Sequence, residues 1–182
     1  MATLNNTTQK IGWNGYHLSP ESNTMSLEIG AEANDDTVYG DTTRSAKGGL
    51  KTVSASVAGF MNPATIEGAL YSGVGTGNTP IMFAESGTEG AVAKFFQSMI
   101  TEYTPISTDV GSMMGFQLSA VGTKHPVVKG NLLENNASAS ATGSSTSQQL
   151  GSVSASQNVY AVLFVLSNSG GGTLDIVVES DD

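Results

Sequence analysis

Cysteine is absent from this chain of 182 residues, which rules out a disulfide framework and any thiolate metal site. Positive charge is scarce: seven Lys and Arg stand against 16 Asp and Glu, for a net charge of −9. That balance excludes binding nucleic acid by phosphate neutralisation, yet it is compatible with nucleic acid that passes by without sticking. Charge of either sign is thin, at 13% of residues against a usual share of roughly 25%. No apolar run reaches the roughly 18 residues of a membrane span, and the opening MATLNNTTQK lacks the apolar core of a signal peptide. The expectation is a soluble, unanchored protein made in a cytoplasm.

Hydroxyls and glycine take the place of charge. Ser, Thr and Gly supply 64 of the 182 residues, a composition poor in helix formers and suited to strands and turns. The expected class is all-β, and the length suits one domain with a real core.

Along the chain, residues 1–10 read as a polar arm. IGWNGYHL (11–18) places Asn14-Gly15, a hairpin-turn pair, between two short extended pieces. MSLEIGAE (25–32) alternates: Met25, Leu27 and Ile29 are expected to pack inward, with Glu28 and Glu32 on the polar face. Residues 33–51 read as a long connection, and TVSASVAGF (52–60) alternates again. NPATIEGALYSG carries the best helix signal, over about 63–72. Asn62 stands at the cap, Pro63 at the first helical position and Gly73 at the end. TPIMFAES (79–86), GSMMGFQLSAVG (111–122) and HPVVKGNLLE (125–134) are strand-like. In 92–103, by contrast, Val92, Phe95, Phe96, Met99, Ile100 and Tyr103 fall at helical spacing. Residues 135–158 form a Ser/Ala/Thr-rich linker. VYAVLFVLS (159–167) and TLDIVVES (173–180), joined through Gly170–Gly172, read as a C-terminal β-hairpin over 159–182. The first arm of that hairpin is apolar on both faces and so requires cover.

No catalytic constellation stands out. His17 and His125 lack metal-ligand spacing. GVGTG (73–77) lacks the Gly-Lys-Ser/Thr of a phosphate loop, and no serine sits in a GxSxG elbow. Asp35, Asp36 and Asp41 follow no calcium-loop spacing. The chain is expected to be no enzyme and to use no cofactor or metal. One charge pattern is informative: Arg44, Lys47 and Lys51 concentrate scarce positive charge beside Asp35, Asp36 and Asp41. As solvated loop charges they contribute little. In a polymer, acid on one subunit and base on the next would fix register in a head-to-tail contact.

The order NGYHLS, MSLEIGAE and YGDTTRSAKGGLKTVSASVAGFMN resembles the tail tube (major tail) proteins of long-tailed phages. In that family a strand leads to a T-x-F/Y-G-D-T turn, a basic stretch, a G-L-K/R step and an S-x-S-x-x-G-F strand, then a short helix matched here by TIEGALYSG. AKFFQSMITEYTPISTDVGSMMGFQLSAVGT and VVKGNLLE continue the likeness, which spans about residues 11–134.

The resemblance implies a β-sandwich or barrel domain over 11–134, with strand rather than helix at 92–103. It implies a structural virion protein that polymerises as stacked hexameric rings around a DNA channel, beside other tail or capsid proteins, with no membrane partner. Its place is the virion, after synthesis in the cytoplasm of a host bacterium. The linker and hairpin lie outside the matched region, which keeps a capsid decoration protein as the alternative. On the tube reading, Asp35, Asp36, Asp41, Arg44, Lys47 and Lys51 form an inter-subunit contact loop. Glu28 and Glu32 then face a lumen that repels DNA phosphates.

Overall fold

The computed structural model describes residues 8–64, 66–106, 111–135, 151–152, 154, 156 and 158–165. Asn14 and Gly15 both take positive φ, 45° and 83°, the geometry of a two-residue hairpin turn. They join β1 (Lys10–Trp13) to β2 (Tyr16–His17) as the sequence predicts. β3 (Ser22–Asp35) and β4 (Ala46–Phe60) follow, then α1 (Glu67–Gly73), β5 (Thr79–Ala84), β6 (Val92–Ile106), β7 (Gly115–Gly122) and β8 (Val128–Asn131). Every ladder between them is antiparallel. The order is β2-β1-β5-β6-β7-β4-β3, with β8 also on β6. This is the all-β fold with one short helix that the sequence implies.

β6 is the pivot. Its first half lies between β5 and β8, and its second half pairs with β7. A register shift between Ile100 and Glu102 leaves one extra residue in β6, which bends a strand and increases its twist. The two halves of the sheet share one core. Trp13, Ile81, Phe83 and Phe96 from one half meet Val57, Phe116 and Leu118 from the other, and Ile66 and Leu70 close it from the helix. The helical spacing in 92–103 is therefore deceptive, as the family resemblance implies. Phe96 and Ile100 enter the core, Ala93 is buried with Ala84 and Leu132 on the opposite face, and Phe95 is partly covered there. A strand buried on both faces loses its alternation.

The helix starts later than its capping signals suggest. Asn62 Oδ1 accepts from the Ala64 N–H (3.3 Å) and the Asn62 carbonyl from the Ile66 N–H (3.2 Å). Asn62 and Pro63 thus build a turn ahead of α1, and Ile66 stands at the cap position without a side-chain hydrogen bond.

The connection expected over 33–51 is mostly strand. β3 runs on to Asp35 and β4 begins at Ala46, paired through Asn34–Lys47 and Asp35–Ala46, so the true loop is 36–45. Gly48 and Gly49 lie inside β4, at a register shift where a Cβ on Gly49 would come within 2.7 Å of Asn34 Nδ2. β7 pairs with β4 only from Ser54 onward. The outer parts of β3 and β4 therefore project past β7 as a two-stranded arm, seven or eight residues long and roughly 25 Å in reach.

Residues 158–165 carry no strand ladder among the described residues. They lie against the sheet, with the Tyr160 ring 6.4 Å from Phe95 and 6.0 Å from His125. A Cβ on Gly12 would meet the Phe164 ring at 3.6 Å. The second arm of the expected hairpin, and most of the 135–158 linker, lie outside the described residues, as does most of the 1–10 arm.

Candidate assembly and lumen surfaces

Side-chain alternation divides the four-stranded portion β3-β4-β7-β6 into two faces. One is the core face: Val53, Ala55 and Val57 of β4 and Phe116, Leu118 and Ala120 of β7 are buried, with Met25 and Leu27 of β3 packed against them. Ile29 departs from the expected inward packing. It pairs with Val53 but is 57% exposed, at the level where the arm leaves the rest of the sheet.

The opposite face is mostly polar. One row reads Ser26, Ser56, Ser119, Glu102 across the four strands, and the next reads Glu28, Ser54, Val121, Met99. A third carries Thr24, Ala58, Gln117 and Thr104. Glu32 extends this face into the arm, its Cβ 3.0 Å from a Cβ placed on Gly49. The face carries acid, hydroxyl and amide groups and no base. Glu102 was not legible from the sequence, since the extra residue in β6 reverses which positions face outward.

The same sheet portion has two open edges. β3 is terminal in the strand order, so among the described residues its outer edge has no partner strand. Residues 101–106 of β6 pair with β7 on one side, while β5 reaches only to Ser98 on the other. β3 and β6 run in opposite directions, because three antiparallel pairings separate them.

At the arm tip the acids serve the loop itself. The Thr37 hydroxyl and N–H both donate to Asp35 Oδ1, the N–H at 2.9 Å, and hold that carboxyl below the usual range. Hydrogen bonding from Ser45 and Lys47 does the same for Asp36, and the Lys47 ammonium lies 2.9 Å from Asp36 Oδ2. The Val38 N–H donates to Asp41 Oδ2 (3.0 Å), and the Ser45 N–H to Thr37 Oγ1 (3.0 Å). Of the predicted loop cations, Lys47 is thus paired within its own subunit, whereas Arg44 and Lys51 make no ion pair among the described residues.

Among the described residues no group of three or more His, Asp or Glu is placed to hold a metal ion. No described helix is long and apolar enough to cross a membrane.

No protein-family model and no curated protein matches the chain. Solved structures do. The chain is similar to the SPP1 tail tube at 14% identity, with a TM-score of 0.58 over 82% of this chain and 93% of that one. It is similar to a chain in the tail of an empty gene transfer agent particle with C6 symmetry at 17% identity and a TM-score of 0.54. That alignment covers 70% of this chain and 98% of the other. A chain of the sheath-tube complex of an extracellular contractile injection system matches at 10% identity and a TM-score of 0.55, over 71% and 93%. The fold is that of tail-tube subunits, as the sequence resemblance implies.

Proposed function

We propose that this chain is a structural tail-tube subunit that closes into rings, stacks head to tail, and lets DNA slide through the bore. The observation that carries the reading is the pair of open edges on one sheet portion. A neighbour's β6 edge set against β3 continues the antiparallel alternation without a break, and it pairs groups that are otherwise left to solvent. Repetition of that heterologous contact closes a ring if the rotation closes. The C6 symmetry of the similar gene transfer agent tail supports six copies. Six sheets of four strands give a circumference of at least roughly 115 Å at about 4.8 Å per strand, ample for a DNA duplex.

In such a ring the core face turns outward and the acid-and-hydroxyl face lines the bore. Glu28, Glu32 and Glu102 then repel phosphates and offer no fixed site for them, so transit is not slowed. Arg44 and Lys51 on the arm, with the loop acids, contact an adjacent subunit and fix its register. The partners are copies of this chain and other virion proteins, and the place of action is the virion.

Electron microscopy of the purified chain tests the reading. Six-fold end views and tubes are expected; three-fold knobs would point instead to a capsid decoration protein.

A further inference from the structure

The half-sheet β2-β1-β5-β6-β8 turns one face to the core, and its other face is crossed by residues 158–165. One row of paired residues on that face reads Val128, Phe95, Met82, Gly12, His17 from β8 to β2. The C-terminal residues run along this row. Tyr160 stands at the β8 end, its ring beside Phe95 and His125, and four residues later Phe164 lies on Gly12. Three strand spacings, roughly 14 Å, match four extended residues, so the segment is a strap laid across the strands.

Its hold is local. Of residues 158–165 only Phe164 is not exposed, and the strap pairs with no strand among the described residues. A cleft of about 350 Å³ remains between strap and sheet, lined among others by Pro80, Phe95, His125 and Leu163. Few buried contacts and a backbone without a ladder mark a segment that opens at low cost. Phe164 is the anchor, and Gly12 makes its seat. A Cβ on Gly12 would stand 3.6 Å from both the Phe164 ring and Met82 Cε, so a longer side chain there takes the ring's place.

Beside the seat stands the only titratable side chain of that row. His17 pairs with Gly12, and directly paired residues share a face. A Cβ placed on Gly15 would lie 3.3 Å from the Val165 carbonyl, so the strap continues over the same hairpin. His17 is half-buried, and its Nε2 has no hydrogen-bond partner among the described residues. Two charged groups face it. Lys10 of β1 opposes a charge on the imidazole, and Glu21 in the turn before β3 favours one. The strap itself, NVYAVLFV, brings no charge. Burial and Lys10 outweigh Glu21 and hold the histidine below its ordinary value.

We infer that residues 158–165 form an acid-released latch, in which Phe164 is seated on Gly12 while His17 is neutral and is lifted when His17 takes up a proton. An imidazolium there would be covered by apolar side chains and repelled by Lys10, and removal of the strap is what gives it water. Release uncovers Phe95, Met82 and Gly12 and leaves an apolar segment without cover.

The chain has no native cysteine, so Leu163→Cys, at an exposed strap position, can carry a single nitroxide whose mobility reports whether the strap is seated. In the full chain the label is expected to be held at about pH 7.5 and mobile by about pH 5, on either side of the ordinary histidine value. Fluorescence of Trp13, the chain's one tryptophan, is expected to stay constant across that range. His17→Gln is expected to keep the label held at both pH values, and Gly12→Leu to free it at both. A label that does not respond to pH, or that is released in His17→Gln as in the wild type, overturns the latch. Release accompanied by a change in Trp13 fluorescence is unfolding and counts against it equally. A label still held at about pH 7.5 in Gly12→Leu overturns the seat.

Discussion

Gly73, the last residue of α1, lies so close to Trp13 of β1 that a Cβ on it would come within 2.3 Å of the indole Cη2. Trp13 is 1% exposed, so its ring has no room to yield. Gly73→Ala should destabilise the subunit by about 1–3 kcal/mol as an overpacked core. Urea unfolding monitored by fluorescence of the chain's one tryptophan checks this. An unchanged midpoint would mean the helix end shifts freely.

His17 on β2 is pushed below its ordinary value, first by burial and then by Lys10, against an opposing effect of Glu21. A histidine whose folded value is depressed favours the folded state when neutral. Its contribution is present above the unfolded value of about 6.5 and is lost as pH falls through the lowered folded value. Thermal stability should therefore decline on acidification from pH 7, and His17→Gln should flatten that decline. A wild-type profile that is flat over this window would contradict the assignment.

The arm-tip carboxyls behave in the same direction at lower pH. Asp35 and Asp36 are held down by hydrogen bonds from Thr37, Ser45 and Lys47. Their support of the loop is full above about 3.9, the ordinary aspartate value, and is lost as pH falls through their lowered values. Protection factors for amide exchange at Thr37 and Ser45, which correct for the intrinsic pH dependence of exchange, should hold down to about that value and fall below it. The Lys47 side chain of the pair with Asp36 is well exposed, so Lys47→Ala should cost the fold little.

Assembly should depend more on the cations left unpaired. Arg44→Glu with Lys51→Glu is expected to leave circular dichroism unchanged while suppressing polymerisation in sedimentation. Normal tubes from this variant would remove the arm from the contact.

The bore carries its own prediction. Glu28→Lys with Glu102→Lys should permit assembly yet slow DNA ejection, with a salt dependence that the wild type lacks, because new bases on that face acquire phosphate contacts. Equal ejection rates across ionic strengths would show that this face does not line the channel.

Much of this was legible in the sequence, and the gaps have physical causes. Asn14-Gly15 and the alternation of Val53, Ala55 and Val57 read correctly, because local turn chemistry and a half-buried face are written residue by residue. The strand at 92–103 was reachable only through the family likeness, since burial of Phe96 on one face and Ala93 on the other erases the two-residue period. Glu102 was hidden by a single extra residue in β6, which no pattern of side chains announces. The outer arm was misread as loop because Ala33, Asn34 and Asp35 of β3 and the first residues of β4, from Ala46, have no core to face, so they carry no hydrophobic signal. Asn62-Pro63 suggested an earlier helix start, but the Asn62 side chain is spent on a turn at Ala64.

The central claim is that the open edges of β3 and of residues 101–106 in β6 meet between copies. A high-resolution electron cryomicroscopy reconstruction of assembled full-length chain tests it most directly. The account predicts backbone hydrogen bonds from β3 of each subunit to β6 of its neighbour, at strand spacing of about 4.8 Å, in a ring whose inner wall carries Glu28 and Glu102. Rings in which both edges face solvent, or a preparation that remains monomeric, would contradict it.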